Sequence, residues 1–179
     1  MTVMAISVSS ADPAGVDELA ALAAATFPLA CPPSAAAEDI SAFVAAQLSA
    51  RRFADYLADP DRVVLTATDD GRIVGYTMLI RGIGDDPEIA HAVTQRPAVE
   101  LSKMYVAASH HRSGAAGALM RSGIAWAGGA GAAAVWLGVN RTNIRAQRFY
   151  RKHGFDVVGT RTFRLGSALE DDFVMVRPR

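Results

Sequence analysis

The run His111-Arg112-Ser113-Gly114-Ala115-Ala116 carries the clearest chemistry in this chain. It lies between an apolar stretch ending in Tyr105-Val106 and a segment where Leu119, Met120, Gly123, Ile124 and Trp126 fall at helical spacing. The first amides of a helix have no internal partner, and the helix dipole favours negative charge there. Small side chains at Gly114, Ala115 and Ala116 let a phosphate come close to such amides. The spacing therefore predicts an anion site at a strand–turn–helix junction. A plain connection without a ligand is the competing reading. No Gly-Lys-Ser/Thr follows, so this is not a Walker loop, and the three spaced glycines of a dinucleotide fingerprint are absent.

Other residues could act on a substrate. Asn143, Gln147 and Tyr150 fall on one helical stripe, with Phe149 turned more toward the core. A stripe ending in Tyr places a phenol beside the preceding strand; its bland counterpart is a half-buried core Tyr with a satisfied hydroxyl. Glu100 sits inside an apolar strand, where a carboxylate needs a water channel or a partner such as Lys103 or an Arg. Arg141, Arg145, Arg148 and Lys152 form a basic stripe that reads as a solvated face. His110 and His111 are adjacent and share no face, and His91 and His153 add no ligand spacing, so no metal site is expected.

These groups must be positioned by the following elements. Val3 to Ser9 alternates and predicts a strand; Ser10 or Asp12 can cap a helix with Pro13 in its first turn, ending near Phe27-Pro28. Ser34 to Asp59 predicts two helices jointed near Ser49, with Phe27, Phe43 and Tyr56 as core residues or substrate contacts. Arg62–Thr68 and Arg72–Arg81 predict a hairpin through Asp69-Asp70-Gly71. Gly82 to Pro97 reads as a polar loop and Ala98 to Val106 as the central strand. A helix runs to about Ala127, with Gly128, Gly129 and Gly131 as breakers. Ala133–Val139 is a buried strand, and Asn143–His153 is a helix ended by Gly154. Phe155–Phe163 and Asp172–Arg177 are final strands joined by a loop over Gly166–Glu170. The order predicts an α/β fold: a mixed, partly parallel central sheet of about seven strands flanked by helices, as one domain over residues 1–179.

The chain has 179 residues, about half of them apolar, and a formal net charge of zero. That balance argues against dedicated nucleic-acid binding, which relies on a basic surface. Cys31 is the only cysteine, so no intramolecular disulfide forms, and among Pro and Ala it reads as packing. Without a signal-like opening or a span-length apolar run, the expected location is cytosolic, away from the membrane.

Two stretches resemble motifs of the GNAT superfamily of N-acetyltransferases. Residues 111–116 resemble its acyl-CoA-binding motif, Gln/Arg-x-x-Gly-x-Gly/Ala, with Leu119 and Met120 as the following pair; His111 stands where Gln or Arg is usual. Residues 139–155, VNRTNIRAQRFYRKHGF, resemble the second motif at every anchor: Asn140, Asn143, Ala146, Phe149, Tyr150, Gly154 and Phe155. Gly75-Tyr76 matches a strand common in the family. The match is strongest from Ala98 onward and weaker before it.

The resemblance implies the GNAT fold and transfer of an acetyl group from acetyl-CoA to a primary amine in a ternary complex, without a covalent enzyme intermediate. It implies that backbone groups of Met104, Tyr105 and Val106 hold the pantetheine arm. The pyrophosphate would sit on His111, Arg112, Ser113, Gly114, Ala115 and Ala116. Asn143 would contact the cofactor, Tyr150 would protonate the leaving thiolate, and Glu100 would serve as base. The C-terminal part, Val158–Phe163 through Asp172–Met175, resembles small bacterial members of amine or polyamine type, which makes Asp171 and Asp172 at the hairpin loop candidate contacts of a cationic acceptor, beside the reading of solvated loop carboxylates. A small-molecule amine is the first acceptor class. A protein or peptide acceptor, or a non-catalytic acyl-CoA-binding domain on the same scaffold, is the alternative. A homodimer is compatible with the resemblance.

Overall fold

In the computed structural model, which describes residues 5–179, the strands form one seven-stranded sheet in the order β1-β2-β3-β4-β5-β7-β6. Its strands are β1 (Ser7–Ser10), β2 (Arg62–Asp69), β3 (Arg72–Arg81), β4 (Ala98–Val106), β5 (Ala134–Asn140), β6 (Asp156–Leu165) and β7 (Ala168–Pro178). The helices are α1 (Val16–Ala30), α2 (Ala37–Gln47), α3 (Ala50–Ala58), α4 (Pro87–Ala92), α5 (Ala115–Gly129) and α6 (Ile144–Lys152). The β4–β5 pair is parallel and all other neighbours are antiparallel. This is the mixed α/β sheet that the element order predicts. Val3 and Met4 of the first predicted strand lie outside the described residues.

Alternation along each strand divides the core into two layers. Val135, Leu137 and Val139 of β5 pack with Met120 and Ala127 of α5 and with Phe149 and Tyr150 of α6. Ala134 and Trp136 face the other way, onto Ile89 and Val93 around α4. On that second face, α1 and α3 cover β2 and β3 through Leu19, Phe53, Tyr76 and Met78. Both faces of β5 are therefore buried, which explains its continuous apolar run.

The hairpin between β2 and β3 turns through Asp70 and Gly71, both at positive φ, as an Asp-Gly type I′ turn requires. Ser49 caps α3 by accepting from the Arg52 amide, at the joint expected in the 34–59 region. Asp12 caps a short 3-10 turn at Pro13–Gly15, and α1 follows directly.

Four expectations need correction. The first helix does not stop at Phe27-Pro28: it ends at Ala30. Pro28 lies in the last turn, where its missing N–H forfeits one bond and leaves little helix to break. The Gly82–Pro97 segment is not all loop, because Asp86 caps α4 and buried Ile89 and Val93 hold it on Trp136. The connection before β7 is only Gly166-Ser167 and not Gly166–Glu170, so Asp171 and Asp172 lie well inside β7 and not at the hairpin loop. Helix α5 runs on through Gly128 and Gly129, and the left-handed residue beyond it is Gly131.

Candidate active site

The pairing of β4 with β5 is short. Only Ala98, Val99 and Glu100 pair with Ala134, Val135 and Trp136. Beyond Glu100 the strands separate, while β4 stays paired with β3 up to Val106 and β5 stays paired with β7 up to Asn140. The gap opens a cleft of about 330 Å³. Its walls are residues 100–105 of β4, Gly138–Asn140 of β5, Asn143, Ala146 and Tyr150 at α6, and Arg161, Glu170 and Asp172 of the β6–β7 hairpin. Phe27, Cys31 and Phe43 close it from the α1–α2 side. Because the strands part here, side chains from both sheet faces reach one space: Tyr150 from the α6 face, Glu100 and Tyr105 from the other.

A β-bulge decides what β4 presents. The register with β3 shifts between Met78 and Leu79: Met78 faces Lys103 and Leu79 faces Leu101, so Ser102 is the extra residue. Strict alternation would send Glu100 and Lys103 to opposite faces. With the bulge, Glu100, Lys103 and Tyr105 stand opposite Ile80, Met78 and Tyr76 and share one face. The Thr77 hydroxyl donates to the Lys103 carbonyl at 2.7 Å and pins the bulge.

Electrostatics follow from this seclusion. Burial pushes the Glu100 carboxyl up, against the opposing pull of Arg161, Lys103 and Arg62. Burial lowers Lys103 to about 8. The Tyr150 phenol is raised to about 12 by burial, and Tyr105 is raised by burial and by the neighbouring Tyr150. Both phenols are therefore proton donors at neutral pH. Cys31 is raised by burial and by Glu170, and its thiol donates to the Phe27 carbonyl at 3.4 Å, so it is a poor nucleophile.

The polar groups on the β5–β7–α6 side are engaged. Asn143 caps α6, its Oδ1 accepting from the Ala146 amide at 3.1 Å. Gln147 is not part of an open polar stripe: it is buried, and its Nε2 donates to the carbonyls of Asn140 and Arg141 at 3.2 and 2.9 Å. Phe149 and Tyr150 both pack on the core, Tyr150 reaching the cleft as well. Arg161 pairs with buried Asp172 at 3.4 Å and lies across β5 at Gly138, where any Cβ would collide with the guanidinium. Gly138, inside β5, thus makes room for Arg161. Asp171 is exposed. Arg145, Arg148 and Lys152 are exposed, as a solvated face requires, and exposed Arg141 lies over the Phe173 ring. Tyr56 is buried in the α3 layer, donating to the Gln47 carbonyl at 2.9 Å, and does not line the cleft.

Strand β4 runs directly into the 111–116 loop. Arg112 and Gly114 both adopt positive φ, and Gly114 is the N-cap of α5 without a side-chain cap bond. Ala115 N–H donates to Ser113 Oγ at 3.2 Å. The amides of Arg112, Gly114, Ala116 and Gly117 have no partner among the described residues. A run of free amides at the start of a long helix fits a diphosphate. The Gly114 site is open, with nothing within 4 Å of a built Cβ, so its glycine answers the backbone angle alone. His111 turns inward, with Nε2 3.1 Å from the Val106 carbonyl. His110 is bound to Asp69 at 2.9 Å. No group of three or more metal-ligating side chains occurs among the described residues.

A splayed parallel pair, a cleft between the strands and an amide-rich loop at the end of β4 occur together in a chain whose sequence and fold are similar to those of known proteins. Residues 23–155 match the model of the acetyltransferase (GNAT) family. The chain belongs to the GNAT acetyltransferase family. It is 59% identical over 161 residues to an uncharacterized N-acetyltransferase of Mycobacterium tuberculosis, covering 90% of this chain and 96% of that protein. Its fold is similar to that of the PaiA N-acetyltransferase from Thermoplasma acidophilum in complex with coenzyme A, at a TM-score of 0.77, 18% identity and coverage of 98% and 100%. The ribosomal-protein-alanine N-acetyltransferase from Brucella melitensis is similar at a TM-score of 0.71, 18% identity and coverage of 97% and 99%. The enzyme is an N-acetyltransferase, and acetyl-CoA is the acetyl donor of its family. No helix among the described residues is long and apolar enough to cross a membrane.

Proposed function

We propose that this enzyme acetylates a primary amine on a small molecule, by direct transfer from acetyl-CoA within a ternary complex. The observation that carries the reading is the cleft itself, where Glu100 and Tyr150 approach one space from opposite sheet faces. Bound acetyl-CoA supplies an activated acyl thioester. The free amides of Arg112, Gly114, Ala116 and Gly117 would hold its pyrophosphate, with Ser113 and Ala115 shaping the turn. The edge of Met104, Tyr105 and Val106 that faces away from β3 would hold the pantetheine arm in the manner of an added strand. Asn143, whose Oδ1 is spent on its cap, keeps its amide N–H groups for the same ligand. His111 steadies the strand end through the Val106 carbonyl.

Glu100 is the proton acceptor in this scheme. Burial raises its basicity toward the range needed to take a proton from an alkylammonium, directly or through water. Tyr150, held protonated to about pH 12, donates to the departing thiolate. The protonated state of Cys31 fits transfer without an acyl-enzyme. The narrow cleft, closed by Phe27 and Phe43, favours a small acceptor over a folded protein surface. The same reading retains one cytosolic domain and admits a homodimer.

Calorimetric titration with acetyl-CoA, repeated on Gly114→Glu, tests the donor site. Binding near the micromolar range (about −8 kcal/mol) is expected for the wild type, and none for the variant, which adds negative charge at a strained left-handed position. Equal binding by both proteins would remove the pyrophosphate from this loop.

A further inference from the structure

We propose that the acceptor is a small primary amine that also carries a carboxylate, and that Lys103 is the residue that selects it. This rests on the transferase reading above and narrows its acceptor class. The bulge at Ser102 puts Glu100 and Lys103 on one face of β4, inside the cleft. Neither forms a salt bridge or a side-chain hydrogen bond among the described residues. Of the other charges near the cleft, Arg161 pairs with Asp172 at 3.4 Å and Arg62 with Asp59 at 2.8 Å, while Glu170 meets only the neutral Asn140 Nδ2, at 3.4 Å. Among the described residues Lys103 is thus the one cation lining the cleft without an ion pair, and it shares the face of Glu100 without collapsing onto it. That is the complement of a zwitterion.

Lys103 is half-buried, and its Nζ lies 5.9 Å from the centre of the Phe43 ring. A secluded ammonium without a counter-ion is costly, and an incoming carboxylate would offset that cost while making a charge-assisted hydrogen bond. Lys103 retains its proton at neutral pH, since its pKa falls only to about 8. The rest of the acceptor would lie on an apolar wall, where Phe27 stacks on Phe43 at 4.5 Å and Phe163 meets Phe43 edge-on. A polyamine fits this cleft less well, because a second ammonium would meet Lys103.

The test measures CoA release with acetyl-CoA and matched pairs: each common L-amino acid and several ω-amino acids, each against its own carboxamide, plus spermidine. At least one acid should exceed its carboxamide in kcat/KM by about tenfold or more, the worth of one hydrogen bond to a charged group. Lys103→Gln should bring that ratio to within about twofold of one, and Lys103→Arg should restore part of it. Thermal melts of both variants establish that they fold. Carboxamides or spermidine preferred over the acids, or an acid-to-carboxamide ratio unchanged in Lys103→Gln, overturns the proposal. Failure of every amine also overturns it, and calorimetry then separates the two levels. Retained acetyl-CoA binding leaves the donor site standing and removes only this acceptor class, whereas absent binding removes the transferase reading beneath it.

Discussion

On the β4 side of the cleft, Glu100 and Lys103 stand on one strand face with no ion pair, and their pKa values are driven in opposite directions by burial. On the β5–β7–α6 side the polar groups are tied down. Arg161 holds Asp172, Gln147 bridges two carbonyls and Asn143 caps its own helix. Buried polar groups are normally satisfied inside the protein, and the second wall obeys that rule. The first wall leaves its charges for a ligand. Tyr150 is the exception on the locked wall: its ring packs on Phe149 and Phe155, and no hydrogen bond of its hydroxyl occurs among the described residues. The contrast separates groups that build the site from groups free to act in it.

The sharpest way to break this comparison is Tyr150→Phe. Removing the one free hydroxyl of the locked wall should lower kcat about a hundredfold while acetyl-CoA affinity stays within about twofold, as expected for loss of a general acid. Steady-state kinetics beside calorimetry decide it, and an unchanged kcat removes Tyr150 from the acid role.

Gln147→Leu probes the architectural side. It leaves the carbonyls of Asn140 and Arg141 without their donor, which should cost about 2 kcal/mol of stability. Urea unfolding would measure it. A loss below about 0.5 kcal/mol would mean that this wall is not held as described.

Glu100→Gln should lower kcat/KM about tenfold near neutral pH and change its pH dependence. In the wild type, activity should climb as the carboxyl loses its proton, and burial places that climb above the ordinary carboxylate range. The variant should lack this limb. The same limb in both proteins would assign the base elsewhere.

The smallest expected effect sharpens the β4 side through stability. Burial lowers Lys103 to about 8 in the folded protein, from the 10.5 of an ordinary lysine that the unfolded chain keeps. Between these values the unfolded chain holds a proton that the folded one has released, so unfolding takes up protons and stability rises with pH. Below about 8 both states are charged and the burial penalty is present in full. Lys103→Met should therefore stabilise the protein most below pH 8, by on the order of 1 kcal/mol, with the advantage shrinking toward pH 10.5. Thermal melts across that range would measure the difference, and a constant offset would contradict the seclusion of Lys103.

Much of the fold was legible because its signals are local. The Asp-Gly turn, the Ser49 cap, the Gly154 terminus and the bounds of β4 depend on neighbours within a few residues. The 82–97 segment was not legible, because α4 is only Pro87–Ala92 and stays helical through Ile89 and Val93 packed on distant Trp136. Asp172 looked like a carboxylate at the edge of the hairpin loop, since nothing nearby announces that β7 begins at Ala168 or that Arg161 lies across the ladder. Gln147 matched a polar stripe by spacing, yet its amide is consumed by the carbonyls of the Asn140–Arg141 turn just before its own helix.

The sequence by itself determined the strand–turn–helix loop, the second motif around Asn143 and Tyr150, and through them the family. Those features are runs of backbone preference and anchor residues, and they survive being read one segment at a time. The tertiary structure alone decided which charges meet. The extra residue at Ser102 turns Lys103 onto the face of Glu100, and Gly138 leaves space for Arg161 to neutralise Asp172. The reason is physical: a bulge exists only in the register between two strands, and a clash exists only between side chains that the fold brings together.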